Sequence, residues 1–548
     1  MLMVAKNRDN TVNLFEELSR VRSMPAPSTR ALCLDYQVSS TLPRLGWAAL
    51  VTPGQNTVRM MAGEDVSRDG NVFWEGLCLS PDDPGATLDH PFPVSTGGMV
   101  RADDVAFWTP GHYLDRLFLV KTAAGVVVSN SLPFALRASG ETLAADYLHY
   151  PWDFGRILQH SQSAPLTRGR VQIITNANLL VSRDGEIKVV PKAAPPEFHD
   201  YASYIGQVHA FLDEVAHANQ AQLDRPYRYV SSLSSGYDSP AVTVLGRRIG
   251  LTDALSIIDS RGGTAGDDSG EPIAAALGLS LKTALRSDYR AAGWDAERLF
   301  YVFGLPEDIC LHPFRNDLKR SLLFTGILGE TQWDRVPHYA GGCWSWDPGG
   351  ATMQEFRLRT GFAQLPLAFY GWQHNAQLVR ISQSAELEPW SLGNSYDRPI
   401  ARRLVEECGV PRECFGMKKR AVSIMVGVHH HGYVDETALG MSSEMAERLD
   451  AHAQSVAGLK TKMELSLSNG LHDLVRFAHE SAHALKKKKS AQVRPGQNNT
   501  ESMAWKAMFN ADRMFPLRRK YMAPFSNLNF STQVANASLA DDYLTFDD

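Results

Sequence analysis

The sequence predicts an α/β protein in which a β-rich N-terminal part precedes a parallel sheet and a largely helical C-terminal part. Residues 30–190 are rich in short β-like runs separated by turn residues. From Tyr201 onward candidate strands alternate with candidate helices, and from about residue 355 helical patterns dominate. The chain of 548 residues exceeds one ordinary hydrophobic core, so roughly two or three domains are expected.

The N-terminal part is predicted to consist of short strands, two of which form a hairpin. Residues 115–131 carry two apolar runs that turn back at Ala123 to Gly125. The proline-rich stretch that begins at Pro191 predicts a linker between expected domains of residues 1–195 and 200–548. Examples of the strand candidates are Arg30 to Tyr36, Trp47 to Thr52, Leu117 to Lys121, Gly125 to Ser129 and Val171 to Thr175.

The alternation of strands and helices after Tyr201 predicts a parallel sheet, because parallel strands need crossover connections. The strand candidates are Arg228 to Ser231, Ala254 to Ile258 and Leu322 to Leu328, and the helix candidates are Pro240 to Ile249, Ile273 to Leu277 and Arg315 to Arg320. Such sheets bind ligands at the carboxyl ends of their strands. The residues that follow each strand are therefore candidates for the functional site.

The loop after the first of these strands predicts an anion-binding site. Its S-x-G-x-D-S pattern comprises Ser234, Gly236, Asp238 and Ser239 and leads directly into a predicted helix. Backbone N–H groups and the helix dipole converge at such a helix start. The chain contains no G-x-x-x-x-G-K-[ST] sequence, and a carboxylate beside phosphates requires a magnesium ion between them. The alternative is a Ser/Gly-rich turn that caps an ordinary helix.

Polar loops also follow the second and third candidate strands. Asp259 and residues 267–271 follow the second strand, where a polar loop with helix-capping residues is the alternative. Gly326, Gly329 and Glu330 follow the third strand. Two glycines permit close backbone approach there, and the carboxylate is able to bind a metal ion.

A cationic segment lies further along the chain. Residues 410–421 place Lys418, Lys419 and Arg420 beside a glycine-containing turn. Such a cluster is typical of a solvated surface when it stands alone. Its position after three candidate loops makes it a candidate partner for phosphate.

Taken together, these motifs resemble the asparagine synthetase family, including its β-lactam synthetase and lasso-peptide cyclase relatives, over roughly residues 200–430. The family's first loop is typically S-G-G-x-D-S, and residues 234–239 are Ser-Ser-Gly-Tyr-Asp-Ser, with serine in place of one glycine. The family's later loop, S-G-x-G-x-D-E, has a looser counterpart in residues 325–331. There Glu330 takes the place of the metal-binding Asp, and Thr331 replaces the acidic residue that follows.

The resemblance implies an ATP pyrophosphatase domain and roles for individual residues, with ATP and Mg²⁺ as cofactors. The family's late element, which runs from a proline to a lysine, matches Pro411 through Lys419. This match makes Lys419 the counterpart of the catalytic lysine, with Lys418 as the neighbouring alternative. By the same resemblance, the ATP-binding residues are Leu233, Ser234, Gly236, Asp238, Ser239, Asp259 and Gly329; the metal ligands are Asp238 and Glu330; and the catalytic residues are Lys419, Asp238 and Glu330.

The N-terminal part resembles the family more weakly. Asparagine synthetases carry a glutaminase domain of the αββα type, whose nucleophile is a cysteine at position 1 after removal of the initiator methionine. Here residue 2 is leucine, which blocks normal methionine removal, and the nearest cysteine is Cys33, an internal residue without an α-amine to act as its base. The resemblance therefore implies a degenerate glutaminase-like domain without its catalytic cysteine, as in the β-lactam synthetases and lasso-peptide cyclases.

The expected function is that of an ATP-dependent carbon–nitrogen ligase that adenylates a carboxylate and transfers the acyl group to an amine or ammonia. The expected partners are a small-molecule or peptide carboxylate and an amine or ammonia donor, and a homodimer is left open. The alternatives are an intramolecular cyclase, a catalytically degenerate scaffold and a pyrophosphate-loop enzyme that acts on tRNA.

Composition limits the other classes of function. The net charge of −5 argues against broad nucleic-acid binding, and the lack of an apolar run of about 18 residues argues against a membrane span. The N-terminus lacks the apolar core of a signal peptide, and the six cysteines form no C-x-x-C pair. These features predict a cytoplasmic enzyme. His429 to His431 and Lys486 to Lys489 are interpreted as surface features.

Overall fold

The computed structural model combines two sheets of mainly antiparallel strands with a parallel, helix-flanked sheet. The described residues are 31–144, 161–221, 226–258, 268–300, 302, 308–336, 349–394, 396–417, 442 and 444. This mixed architecture confirms the predicted α/β class. The finer assignment to an αββα glutaminase-like domain followed by an ATP pyrophosphatase domain, with a boundary at 195–200, stays a prediction.

The first part of the chain is a sandwich of two sheets. In chain order its strands are β1 (Cys33–Val38), β2 (Trp47–Val51), β3 (Thr57–Ala62), β4 (Val66–Asp69), β5 (Val72–Glu75), β6 (Gly97–Val100), β7 (Asp104–Trp108), β8 (Leu117–Thr122), β9 (Gly125–Ser129), β10 (Ser161–Pro165), β11 (Arg170–Ile174), β12 (Ala177–Ser182) and β13 (Ile187–Pro191). Seven strands form one sheet in the order β1-β3-β2-β9-β8-β11-β10, and six form the other in the order β13-β12-β7-β6-β5-β4. Strands β1 and β3 pair in parallel. The predicted hairpin is confirmed as β8 and β9, which pair antiparallel.

Aromatic side chains join the two sheets. The ring of Trp47 packs edge-on against Phe73, with centroids 5.0 Å apart, and stacks on Phe107 at 5.8 Å. Trp47 belongs to the first sheet, and both phenylalanines belong to the second. The next residue, Ala48, contacts helix α1 (Leu132–Ser139) on the outer face of the first sheet. This change of side follows from the two-residue period of a β-strand.

The second part of the chain is built around a five-stranded parallel sheet. Its elements in chain order are α2 (Tyr201–Ala221), β14 (Arg228–Ser232), α3 (Asp238–Arg247), β15 (Asp253–Ile258), α4 (Glu271–Leu277), β16 (Ser280–Leu285), α5 (Trp294–Phe300), α6 (Arg315–Leu318), β17 (Ser321–Phe324), α7 (Gly329–Gln332), α8 (Gln354–Thr360), β18 (Ala363–Leu365), α9 (Asn375–Ser382) and α10 (Pro399–Glu407). Short 3₁₀ helices span Pro84–Leu88, Asp288–Ala292, Ile309–Phe314, Leu367–Phe369, Trp372–His374, Ala385–Trp390 and Arg412–Cys414. No helix in the described part of the chain combines the length and the apolar composition that crossing a membrane requires.

The order of the parallel strands defines a switch point. The order is β16-β15-β14-β17-β18, and every neighbouring pair is parallel. The chain first adds β15 and β16 on one side of β14 and then adds β17 and β18 on the other side. The direction of the crossovers therefore reverses between β14 and β17. Doubly wound sheets bind their ligands at such a point, outside the carboxyl ends of the strands.

Several element boundaries differ from the sequence predictions. Strand β17 ends at Phe324 and not at Leu328, because the chain turns away from the sheet after Thr325 and Leu328 adopts a left-handed φ of 72°. Helix α3 begins at Asp238, before the predicted start at Pro240. In the parallel sheet, the sequence predictions omit β16 and β18. Strand β16 is largely exposed and mixes polar with apolar residues, and β18 has three residues, which are too few to show a period.

A buried ionic cluster joins α8 to the sandwich. Arg357 Nη1 donates to Glu75 Oε2 at 2.6 Å, and Arg357 Nε donates to Asp115 Oδ1 at 2.9 Å. All three side chains are at most 1% exposed. Burial disfavours the charge on Arg357, but the carboxylates of Asp115 and Glu75 outweigh this effect and raise its pKa. The arginine is therefore a charged residue that holds both parts of the molecule together.

Glu355, on the same helix, caps α1. Its carboxylate accepts a hydrogen bond from the hydroxyl of Ser131 at 2.8 Å and another from the N–H of Leu132 at 3.1 Å. Ser131 is the N-cap residue of α1, and its hydroxyl also accepts from the N–H of Phe134. A carboxylate from the second part of the chain thus occupies the positive end of a helix in the first part.

Candidate functional site

The loop between β14 and α3 carries the S-x-G-x-D-S pattern at the carboxyl end of the central strand. Leu233 extends the sheet, since its N–H donates to the carbonyl of Leu255 at 2.8 Å. The hydroxyl of Ser239 accepts from the N–H of Ser234 at 3.0 Å and lies 2.9 Å from Ser234 Oγ. The N–H of Gly236 donates to Ser234 Oγ at 3.4 Å. These bonds fold the loop into a compact turn at the N-terminus of α3.

Asp238 is the first residue of α3, and the loop after β17 closes directly on it. A Cβ atom added to Gly326 would lie 2.5 Å from the carbonyl carbon of Asp238, and one added to Gly329 would lie 2.5 Å from Asp238 Oδ1. A larger residue at either position would force the two loops apart, which explains the two glycines. Glu330 follows Gly329 in α7 and is half-buried. The two predicted acidic loops therefore meet where β14 and β17 end side by side.

Arg398 places a positive charge on Asp238. It immediately precedes α10, and its Nη1 donates to Asp238 Oδ2. The side chain of Arg398 is 5% exposed and that of Asp238 is 19% exposed, so water screens the pair only weakly. Burial disfavours the charge on Arg398, but Asp238, Tyr396 and Glu330 outweigh this effect and raise its pKa. The guanidinium lies within electrostatic reach of both predicted metal ligands.

Aromatic rings and a structured turn hold Arg398 in place. Its guanidinium carbon lies 5.0 Å from the ring centroid of Tyr396 and 5.8 Å from that of Tyr237, both within the range of cation–π attraction. The preceding residue, Asp397, is 5% exposed and accepts a hydrogen bond from the N–H of Leu392 at 3.1 Å. Asp397 thereby organises the turn that delivers Arg398 to the site.

The segment that leads to the cationic cluster is fixed against the first loop. The N–H of Gly416 donates to the carbonyl of Ser235 at 2.9 Å. Arg402, one turn into α10, donates to Tyr237 Oη at 2.7 Å and to the carbonyl of Gly416 at 3.3 Å. Met417 is the last residue described before the cationic cluster. The chain therefore approaches the cluster from a point in contact with the S-x-G-x-D-S loop.

The structure brings together most of the predicted site residues. Those that gather where β14 and β17 end are Leu233, Ser234, Gly236, Asp238, Ser239, Gly329 and Glu330. Asp259, Lys418 and Lys419 lie outside the described residues, as do residues 429–431 and 486–489. The roles of all these residues in binding ATP or a metal ion stay predictions.

The sequence predictions missed Arg398 and the rings beside it. One signal was present: Pro399 follows Arg398, and proline at a first helical position indicates a helix start. An arginine at a helix N-terminus is disfavoured by the helix dipole, so its presence there indicates a nearby anionic partner. The identity of that partner was not accessible from sequence, because Asp238 lies 160 residues earlier in the chain.

Comparison with known proteins leaves the family open. No protein-family model matches the chain, and no curated protein matches it. The solved structures that match include a predicted subunit of a tRNA methyltransferase from Methanocaldococcus jannaschii, which is 18% identical in sequence and aligns with 35% of this chain and 94% of that chain. Its TM-score of 0.18 is too low for the likeness to support any statement about fold or function.

Proposed function

We propose that the chain is an ATP-dependent carbon–nitrogen ligase of the asparagine synthetase type, which adenylates a carboxylate and transfers the acyl group to an amine or ammonia. One observation carries the proposal. The S-x-G-x-D-S loop and the Gly326–Glu330 loop meet around Asp238 at the switch point of a parallel sheet. A helix N-terminus is suited to phosphate, and a carboxylate beside a bound phosphate requires a cation between the two. An enzyme that binds a metal–pyrophosphate group uses both features.

Two carboxylates in this position fit a magnesium ion. Asp238 and Glu330 offer the hard oxygen ligands that Mg²⁺ prefers. No group of three or more candidate metal ligands occurs within the described residues, so phosphate oxygens and water would have to complete the coordination shell. Bound between these carboxylates and ATP, the ion would offset negative charge on the phosphates.

The proposed reaction has two steps. A substrate carboxylate oxygen forms a bond to the α-phosphorus of ATP, and the bond from that phosphorus to the oxygen that bridges to the β-phosphorus breaks. This step yields an acyl-adenylate and pyrophosphate. An amine nitrogen then attacks the acyl carbon and loses a proton, and AMP leaves. The hydroxyls of Ser234 and Ser239 and the N–H groups at the start of α3 would hold the departing pyrophosphate.

The N-terminal sandwich is proposed to support the second part of the chain without supplying ammonia from glutamine. Cys33 opens β1, where its thiol donates to the carbonyl of Asn56 at 3.3 Å and lies 3.7 Å from Thr57 Oγ1. Both contacts are to the strand that pairs with β1 and its preceding residue. This environment is that of a structural cysteine. The amine would then be free ammonia, a second substrate or a group on the acylated molecule itself.

The products formed from ATP test the proposed function, because they show which phosphate bond is cleaved. We expect the purified chain, supplied with Mg²⁺, ATP, ammonium and a panel of amino acids, uronic acids and peptides, to release AMP and pyrophosphate in equal amounts with at least one carboxylate. Chromatography of the nucleotides and a pyrophosphate assay measure this result. Release of ADP and phosphate would contradict adenylation, and Mg²⁺-dependent ATP binding without turnover on any carboxylate would favour the non-catalytic scaffold.

Lys419→Met is expected to separate catalysis from nucleotide binding. Gly416, three residues before Lys419 in the sequence, donates its N–H to the carbonyl of Ser235 in the first loop. A lysine that meets charge developing at the α-phosphate stabilises the transition state more than bound ATP. The variant should lower kcat about 100- to 1,000-fold while the ATP dissociation constant changes only a few-fold. AMP formation and calorimetric ATP titration provide the two measurements.

Lys418→Met is the matched control for Lys419. Lys418 is the residue before Lys419 and does not match the lysine of the family's late element, so the variant should retain most of the activity. The opposite result, with Lys418 essential and Lys419 dispensable, would move the catalytic assignment by one residue. Dispensability of both lysines would place the catalytic cation elsewhere in the site.

A further inference from the structure

The Gly326–Glu330 loop also contacts the N-terminal sandwich. A Cβ atom added to Gly350 would lie 2.3 Å from Ile327 Cδ1 and 2.8 Å from Leu114 Cδ1. A methyl group of the loop and a methyl group of the sandwich therefore lie over the same glycine. Leu114 is fully buried in the connection between β7 and β8, and Ile327 packs against the hydrophobic cluster to which Leu114 belongs.

Gly350 is held in place through both of its backbone polar groups. Its N–H donates to Asp308 Oδ2 at 2.7 Å, and its carbonyl accepts from Gln364 Nε2 at 3.3 Å. Gln364 lies in β18, which pairs with β17, the strand that leads into the Gly326–Glu330 loop. The φ of Gly350 is 80°, in the left-handed region. Both this conformation and the close approach of Ile327 therefore require glycine at position 350.

Leu114 is fixed by its own neighbours. Its N–H donates to His112 Nδ1 at 3.2 Å, and the next residue, Asp115, accepts a hydrogen bond from Arg357. Burial and the charge of Arg357 lower the pKa of His112 to about 3, so the imidazole stays neutral and Nδ1 stays an acceptor at neutral pH. The ionic cluster that joins α8 to the sandwich thus also fixes the residue next to Leu114.

The loop adopts a backbone conformation that requires support from packing. Leu328 has a φ of 72°, which residues with a side chain rarely adopt. Its side chain is 1% exposed and belongs to the same hydrophobic cluster as Leu114. Leu328 directly precedes α7, whose first residue, Gly329, packs against Asp238. Burial of the Leu328 side chain therefore offsets an unfavourable conformation at the point where the two loops meet.

We infer that Leu114 is a positioning residue for the candidate site: through Ile327, it holds the Gly326–Glu330 loop against Asp238. The role of the loop in binding metal and pyrophosphate rests on the proposed function. The sandwich would then complete the site without contributing a group that touches a substrate. Its contribution is the position of Gly329 and Glu330, and errors of about 1 Å in such positions lower activity strongly.

Hydrogen exchange measured by mass spectrometry tests the contact without any ligand. Leu114→Ala removes the methyl groups that pack over Gly350, so the amides of residues 325–333 should exchange at least about tenfold faster than in the wild type. Leu179→Ala is the matched control, because Leu179 is equally buried but lies between the two sheets of the sandwich in a separate hydrophobic cluster. This control should leave exchange of residues 325–333 unchanged.

Gly350→Ala tests the same contact from the other side. The added methyl group would overlap Ile327 Cδ1, so exchange of residues 325–333 should again be about tenfold faster. Ile327→Val in the Gly350→Ala background removes the overlapping methyl group and should restore slow exchange. Gly278→Ala is the control for backbone strain: Gly278 has a φ of 66°, and apart from its chain neighbours an added Cβ would meet no atom of the described residues within 4 Å.

Wild-type exchange of residues 325–333 in folded Leu114→Ala protein would overturn the inference, as would equally fast exchange in Leu179→Ala. If Leu114→Ala does not fold, the Gly350→Ala pair decides, and failure of Ile327→Val to restore slow exchange would refute the contact. Calorimetric titration with Mg²⁺ and pyrophosphate adds the consequence for the site, an affinity about tenfold lower in Leu114→Ala. Faster exchange without pyrophosphate binding by the wild type would refute the proposed function and leave the positioning contact intact.

Discussion

Replacement of Asp238 by asparagine is expected to lower ATP-to-AMP turnover about a thousandfold or more. The carboxylate is the residue around which both loops close, and it is proposed to hold the metal ion that offsets charge on the leaving pyrophosphate. Loss of a charge-stabilising contact worth several kcal/mol corresponds to a change of this size. Asparagine keeps the volume of the side chain, so Gly326 and Gly329 should still pack against it. Pyrophosphate release with a substrate identified for the wild type is the measurement.

The structure also changes the expectation for the stability of Asp238 variants. The position of Asp238 next to a loop would by itself predict that a substitution changes the free energy of unfolding only slightly. Asp238, however, compensates the charge of Arg398, whose side chain is 5% exposed. Removing one partner of a buried pair leaves an uncompensated charge and costs about 3–5 kcal/mol when burial is complete, so a somewhat smaller loss is expected at this partly exposed site. Thermal unfolding of the variant must accompany the activity assay.

Asp213→Asn is the matched control for the turnover measurement. Asp213 also pairs with an arginine, Arg248 at 2.8 Å, but both side chains are well exposed on the surface and outside the site. This variant should keep wild-type turnover and nearly wild-type stability, because exposed ion pairs contribute little. Wild-type pyrophosphate release from a folded Asp238→Asn protein would refute the assignment of the S-x-G-x-D-S loop as a pyrophosphate loop.

Arg357→Met is expected to cause the largest loss of stability, about 3–5 kcal/mol in the free energy of unfolding of the region that contains α8. The substitution leaves Glu75 and Asp115 buried beside each other without their cation. Methionine fills much of the arginine volume, so the loss reports the uncompensated charge more than a cavity. Calorimetry, together with urea unfolding followed by tryptophan fluorescence, measures the effect and shows whether the two parts of the chain unfold separately.

Two comparisons separate the charge effect from a general loss of packing. Arg248→Met removes an arginine from an exposed pair and should change the unfolding temperature only slightly. Adding Glu75→Gln and Asp115→Asn to Arg357→Met removes the uncompensated charges and should recover part of the lost stability. A loss below about 1 kcal/mol for Arg357→Met would show that the cluster does not hold the two parts together.

The sequence by itself determined the local structure around the proposed site. The apolar run before Ser234, the small residues of the loop and the helix that follows are features of neighbouring residues, and they predicted a strand, a turn and a helix in that order. Gly326 and Gly329 likewise predicted a loop of close approach, and each glycine does pack against Asp238. Such signals can be recognised in a sequence because secondary-structure propensity and the spacing of apolar residues are properties of a few consecutive residues.

Only the tertiary structure decided which of these local elements meet. The order of the parallel strands places β17 beside β14, although β15 and β16 lie between them in the sequence. Strand β18 has three residues and is stabilised by its pairing with β17, so it has no signature of its own. Arg398 and Asp238 are separated by 160 residues, and so no local pattern could pair them. Their contact arises because packing of the turn before α10 against the first loop buries a guanidinium, and a buried charge must have a counter-charge.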